Sequence, residues 1–312
     1  MLRNIKLLAI LIASLIFIIG CSSDASSDDP EQTEEANREA TQEQEEVNGE
    51  EEEHRIISTT VAITEIMDAL DLDLVGVPTT YKELAPRYQG LPDVGRADQP
   101  DMEIIKSLNP TDVLSVTTLR TDVEDYYKQT NTPITFLDLE SVDGMLESIL
   151  YLGEKYDRME KAEEIVAKFE EQMKEIEEMT KDKEPPKVLI LLGVPGSYLV
   201  ATENSYLGDL ARRAGAINVF PGEDGVEYQS ANPEYLQQAN ADVILRAAHG
   251  MPDEVVKMFD KEFKENDIWK HFDAVKNGRV YDLEETLFGT TANLAAYDAL
   301  LHLVDILYED AE

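Results

Sequence analysis

The chain has four histidines and one cysteine in 312 residues, so metal chemistry must rest on very few side chains. His249 stands out by its context. In "ADVILRAAHGMPDEV" (241–255) a short apolar run ends in an imidazole, a glycine and Met-Pro. A strand that breaks open on a histidine can present it to a ligand, and neutral imidazole is a common ligand for transition metals. Gly250 permits close backbone approach, and Pro252 suits the first turn of a helix. A zinc site needs three or four nitrogen, sulfur or carboxylate ligands. His54, His271 and His302 share no ligand spacing with His249, and no second thiol exists. Gly196-Ser197-Tyr198-Leu199 does not complete a nucleophile elbow, and P-loop and dinucleotide-binding fingerprints are absent. The chain reads as a binder and not as an enzyme.

A second kind of chemistry is anion binding by backbone amides. In "STTVAITEIMDAL" (58–70) Thr60 is a plausible N-cap, leaving the amides of Val61 and Ala62 as donors at a positive helix end. Tyr81 and Tyr88 in "PTTYKELAPRYQG" (78–90) offer flat aromatic faces.

These residues need a scaffold, and the chain alternates apolar runs with helical patterns as α/β units do. Strands are expected at 73–78, 111–116 and 133–139, and again at 187–194, 241–247 and 278–283. Between the two sets, Met159, Ala162, Ile165, Val166, Phe169, Met173 and Ile176 form the stripe of a long amphipathic helix ahead of Pro185-Pro186. "MEIIKSLNPTDVLSV" and "PEYLQQANADVILRA" echo one another, laying Glu103 on Glu234 and Asn109 on Asn240. Two lobes built alike would face each other across a cleft, with Thr117-Thr118 and His249 at its edges, since ligands sit beyond the carboxyl ends of parallel strands. The expected organisation is a signal segment at 1–20, a tether at 21–54, an α/β lobe at 55–157, a linking helix at 158–184 and a second α/β lobe at 185–312.

Charge narrows the partners. The formal net charge is −38, which repels nucleic-acid phosphates. Residues 22–54 hold fourteen acids against Arg38 alone, and a segment so polar cannot offset its ordering entropy. "MLRNIKLLAILIASLIFIIGC" has a basic start and an apolar run too short to span a bilayer comfortably, as in an export signal. Gly20-Cys21-Ser22 is similar to a bacterial lipobox, whose cysteine is lipidated after cleavage.

From Arg55 to about Tyr308 the chain resembles the periplasmic-type substrate-binding lipoproteins in which two Rossmann-like lobes are joined by a single long backbone helix (class III). Within them it looks very like the haem-binding lipoproteins of the iron-regulated surface determinant import system. The stretches that carry the likeness are "PTTYKELAPRY", "KVLILLGVPGSYLVATENSYLGDL", "ILRAAHGMPDEVVKMFDKEFKENDIWKHFDAVKNGRVYDLEE" and "FGTTANLAAYDA". The resemblance implies haem as the transported ligand, an ABC permease as partner, cell-surface haem-relay proteins as donors, and a lipid anchor at Cys21 on the outer face of the cell membrane. It implies that His249 ligates the iron and that the haem propionates rest on Thr60, Val61, Thr80 and Tyr81. The family's Gly-Xaa-Pro-Met, source of the second axial ligand, falls on Gly95-Arg96-Ala97-Asp98. Methionine is missing there, which leaves Asp98, Met102 four residues on, or water for the sixth position. Glu103 and Glu234 fall where the wider fold docks on permease arginines. Ferric-siderophore carriage is the competing function, kept open by Arg87, Arg96 and Arg246.

Overall fold

The computed structural model describes residues 54–308 apart from Asp224 and Ala231, and of Pro233, Glu234 and Tyr235 only the backbone. The signal segment, Cys21 and nearly all of the acidic stretch lie outside the described residues. His54, the last residue of that stretch, lies edge-on against Tyr156 with ring centroids 5.0 Å apart.

The apolar runs of the first half build a small parallel sheet. Strand β1 (Ile56–Ser58) leads to helix α1 (Val61–Ala69), then to a hairpin of β2 (Gly95–Arg96) and β3 (Gln99–Pro100), helix α2 (Met102–Ser107), β4 (Asp112–Val116), α3 (Arg120–Thr130) and β5 (Ile134–Leu137). The sheet order is β1-β4-β5, all parallel. Residues 73–78, expected as a strand, make only isolated bridges, Ile57 with Gly76 and Val77 with Asp93. Gly76 sits so close beneath Val94 and Leu108 that a Cβ would approach their side chains to 2.7 and 2.9 Å. The segment runs extended past the sheet edge without a ladder.

Helix α4 (Val142–Lys155) and helix α5 (Met159–Thr180) follow. The expected apolar stripe is the buried face of α5, with Ala162, Phe169 and Ile176 in the core. The 141–183 stretch breaks between the two helices, where Asp157 takes φ 55°. Gly153 makes the antiparallel return possible: a Cβ there would lie 2.5 Å from that of Ala162.

The second half forms a larger mixed sheet. Its elements are β6 (Lys187–Val194), β7 (Ser197–Ala201), α6 (Tyr206–Arg213), β8 (Ile217–Asn218), β9 (Tyr228–Ser230), α7 (Pro233–Gln238), β10 (Val243–Ala248), α8 (Pro252–Glu265), α9 (Asp273–Lys276), β11 (Val280–Leu283) and α10 (Ala296–Tyr308). Strands run in the order β11-β10-β6-β7-β9, with β8 also on β6. β10 and β11 are parallel to β6, whereas β7 runs antiparallel to both of its neighbours, β6 and β9.

The result is two Rossmann-like α/β lobes joined by a long helix. α10 returns to pack on α5 and α6, and one buried apolar cluster runs from Ile63 and Leu114 of the first lobe through Phe169 to Val188 and Leu245 of the second. Polar contacts join the lobes as well. The Val142 amide donates to the buried Asp209 carboxylate (2.9 Å), Arg213 pairs with Asp143 (2.8 Å), and the Ala292 amide donates to the Leu139 carbonyl (2.8 Å).

The internal echo has a structural counterpart. α2 and α7 each lead through an asparagine in the left-handed region, Asn109 (φ 46°) and Asn240 (φ 50°), into a buried central strand. Asparagine tolerates that conformation better than other non-glycine residues.

Candidate functional site

His249 follows β10, whose six residues are all buried, and is itself exposed. Its amide donates to the Gly193 carbonyl of β6 (2.8 Å), so the backbone is still fastened to the sheet where the side chain leaves it. Among the described residues no hydrogen bond engages the imidazole. Gly250 (φ 68°) and Met251 (φ 50°) then turn the chain through two left-handed residues into α8. Met251 is 52% exposed.

Facing this edge from the first lobe is the β2–β3 turn with Asp98. Arg96 grips the Asp98 carboxylate with two hydrogen bonds, of 3.0 and 2.7 Å. Those bonds hold the carboxyl below the usual carboxylate range, and nearby His249 adds a smaller push in the same direction. The two residues expected on opposite sides of the ligand are therefore within electrostatic reach of each other across the cleft.

Met102 is placed differently. α2 begins at Met102, capped by Asp101, which accepts from Glu103 and Ile104 amides. Asp98 lies before that helix, so the two residues do not share a helical turn. Met102 packs against the cluster of Ile57, Val94, Ile105, Val113, Val123 and Tyr127.

The helix end read from sequence is present. Thr60, in extended conformation, caps α1 by accepting from the Ile63 amide (3.2 Å). Among the described residues the amides of Val61 and Ala62 have no partner, as expected of a first helical turn. Thr80 closes a tight turn, its hydroxyl accepting from the Lys82 amide (2.9 Å). Tyr81 is 71% exposed and reaches toward the second lobe. Partial desolvation of its hydroxyl, then hydrogen bonding to Glu285 and the charge of that carboxylate, push the phenol up to about 12. Tyr88 is buried instead, donating to the Leu72 carbonyl (2.6 Å), and its ring offers no face to a ligand.

Glu285 was not visible from sequence. It lies two residues beyond β11, and the last rung between β10 and β11 pairs Ala247 with Leu283. Residues 249 and 285 thus leave the same sheet edge side by side. Only that parallel register, which no local pattern encodes, brings Glu285 next to the histidine.

The three arginines that would suit a siderophore are all engaged. Arg87 pairs with Asp71 and Asp73, Arg96 with Asp98, and Arg246, only 8% exposed in its side chain, with Asp282 and Asp260 while lying over Phe259 and Phe263. A separate cavity of about 400 Å³ is lined by Glu65, Asp68, Glu83, Leu84, Leu294 and Asp298. Of the residues singled out from the sequence it is lined by Tyr88 alone, and its four carboxylates oppose a ligand that carries carboxylates of its own. Glu103 is exposed as the second residue of α2, and Glu234 is the second residue of α7. Among the described residues no group of three or more His, Cys, Asp or Glu could hold a bare metal ion, and no helix is long and apolar enough to cross a membrane.

The chain is 46% identical over 309 residues to the high-affinity heme uptake system protein IsdE of Staphylococcus aureus, covering 99% of each chain. The crystal structure of S. aureus IsdE complexed with heme superposes with a TM-score of 0.79 at 50% identity, over 82% of this chain and 99% of that one. An ABC transporter substrate-binding protein from Listeria monocytogenes superposes with a TM-score of 0.78 at 51% identity and the same coverage. Residues 56–287 match the profile of the periplasmic binding protein family, and with that span covering both lobes and the helix between them the chain belongs to that family.

Proposed function

We propose that the chain is the haem-binding component of an ABC import system and that it carries haem in the interlobe cleft to the permease. It binds its cargo reversibly and catalyses no reaction. The observation that carries this reading is the unpaired imidazole of His249, held at a sheet edge opposite Asp98 of the other lobe. A flat porphyrin between the lobes would meet an iron ligand on one side and an oxygen donor on the other. The relationship to the IsdE protein and its heme complex supports it. Engagement of Arg87, Arg96 and Arg246 removes the cations that a ferric siderophore would use.

In this reading His249 ligates the iron. Asp98, or a water held by it, occupies the sixth position, and Met102 remains in the first-lobe core. The amides at Thr60 and Val61, with Thr80 and Tyr81, receive the propionates, because free N–H groups at a positive helix end suit carboxylates. Glu103 and Glu234 meet permease arginines. Cys21 carries two acyl chains, enough for stable anchoring where one is not, so the folded part stands off the outer face of the membrane on its acidic tether and takes haem from cell-surface relay proteins.

An absorption spectrum after haemin addition tests the central claim. The parent protein is expected to give a Soret band that persists through gel filtration, and His249→Ala to lose haem at least tenfold faster. A His249→Ala complex with the parent's spectrum and retention sinks the assignment. Docking is tested separately: reversing both Glu103 and Glu234 to lysine is expected to abolish haem uptake by cells while the purified variant still binds haem. Unchanged uptake refutes that role.

A further inference from the structure

The turn that follows His249 is held by a single side chain. The Gly250 amide donates to the Glu285 carboxylate at 3.0 Å. Gly250 and Met251 are both left-handed, and nothing lies within 4 Å of the position a Gly250 Cβ would take. Packing therefore does not fix this turn, and Met251, with a Cβ, is not a residue that adopts positive φ freely. Two successive amides set the exit of the histidine from the sheet. One is bonded to the backbone of β6 and the other to Glu285. The charge of the same carboxylate also acts on the Tyr81 phenol of the other lobe.

We propose that Glu285 is a positioning residue for the iron ligand: by bonding the Gly250 amide it fixes the direction in which the His249 imidazole leaves the sheet edge. A carboxylate suits this task, since its hydrogen bonds are about twice as strong as those of a neutral acceptor. The role in ligation rests on the haem reading; the role in holding the turn does not.

The test uses the full chain with Glu285→Ala, Glu285→Gln and Tyr81→Phe. In the ligand-free protein, hydrogen exchange at the Gly250 amide is expected to accelerate about tenfold in Glu285→Ala, as for loss of one charge-assisted hydrogen bond, and less than about threefold in Glu285→Gln, which keeps an acceptor in place. In the ferric haem complex, Glu285→Ala is expected to shift and broaden the electron paramagnetic resonance signals of the axially ligated iron. It should also release haem to apomyoglobin about tenfold faster, and Glu285→Gln should restore both. Tyr81→Phe is expected to speed release without altering the signals. Parent-like exchange at Gly250 in Glu285→Ala overturns the proposal. So do parent-like resonance signals in Glu285→Ala when His249→Ala has lost them. If His249→Ala itself keeps the parent's signals, the haem reading fails, and Gly250 exchange alone decides whether Glu285 holds the turn.

Discussion

In the proposed haem site Asp98 is the most consequential single position. Where the resemblance implies a methionine, this chain has Asp98, gripped by Arg96, which holds its carboxyl below the usual carboxylate range. An anionic hard oxygen near the iron stabilises the ferric state, whereas methionine opposite histidine raises the potential. Asp98→Met is therefore expected to raise the midpoint potential of bound haem by on the order of 0.1 V, a modest part of the roughly 0.8 V that axial ligands span. Spectroelectrochemical titration measures this, and an unchanged potential would remove Asp98 from the iron's surroundings. Met102→Ala serves as the control, losing about 1–2 kcal/mol of stability from its partly buried site while leaving the haem spectrum as it was.

At the scale of elements, the proposed function puts binding chemistry at the N-terminus of α1. Thr60→Ala is expected to lower stability in urea by about 1 kcal/mol, and Thr60→Ser to restore most of it, because the cap bond to the Ile63 amide is the interaction removed. Much of this level could be read directly from the sequence. Continuous apolar runs marked β4, β5, β6, β10 and β11 to within two or three residues at each end, since buried parallel strands need no alternation. The capped start of α1 and the stripe of α5 are equally local signals. What escaped were β1, with only three residues beside the acidic stretch, the two-residue strands β2, β3 and β8, and β7 and β9, whose pairing is set by tertiary contacts. The site divides likewise. His249 announces itself at the end of its own strand. Glu285 does not, because its place beside the histidine depends on how two strands distant in sequence are registered.

For the whole molecule, the contacts between the lobes set both pH response and stiffness. Glu227, just before β9, faces Glu140 and Asp138 beyond β5. Burial first, then repulsion from those two carboxylates, push it up to about 7 from an ordinary 4.5. Between those two values the folded protein keeps a proton that the unfolded chain has released, so this group lowers stability as pH rises and its full penalty is present above 7. Glu227→Gln is expected to leave stability unchanged near pH 4 and to raise it by about 1–2 kcal/mol at pH 8, the figure being reduced for solvent that still reaches the carboxyl. Urea midpoints at the two pH values check it, and an equal gain at both would exclude the proton linkage. The same boundary carries the apolar cluster shared by both lobes and the Val142–Asp209 bond at its centre. In the proposed role, a carrier welded along its spine is expected to present nearly one silhouette to its importer whether full or bare. The importer must then tell a laden carrier from an empty one by what shows at the rim of the cleft, not by a change of outline.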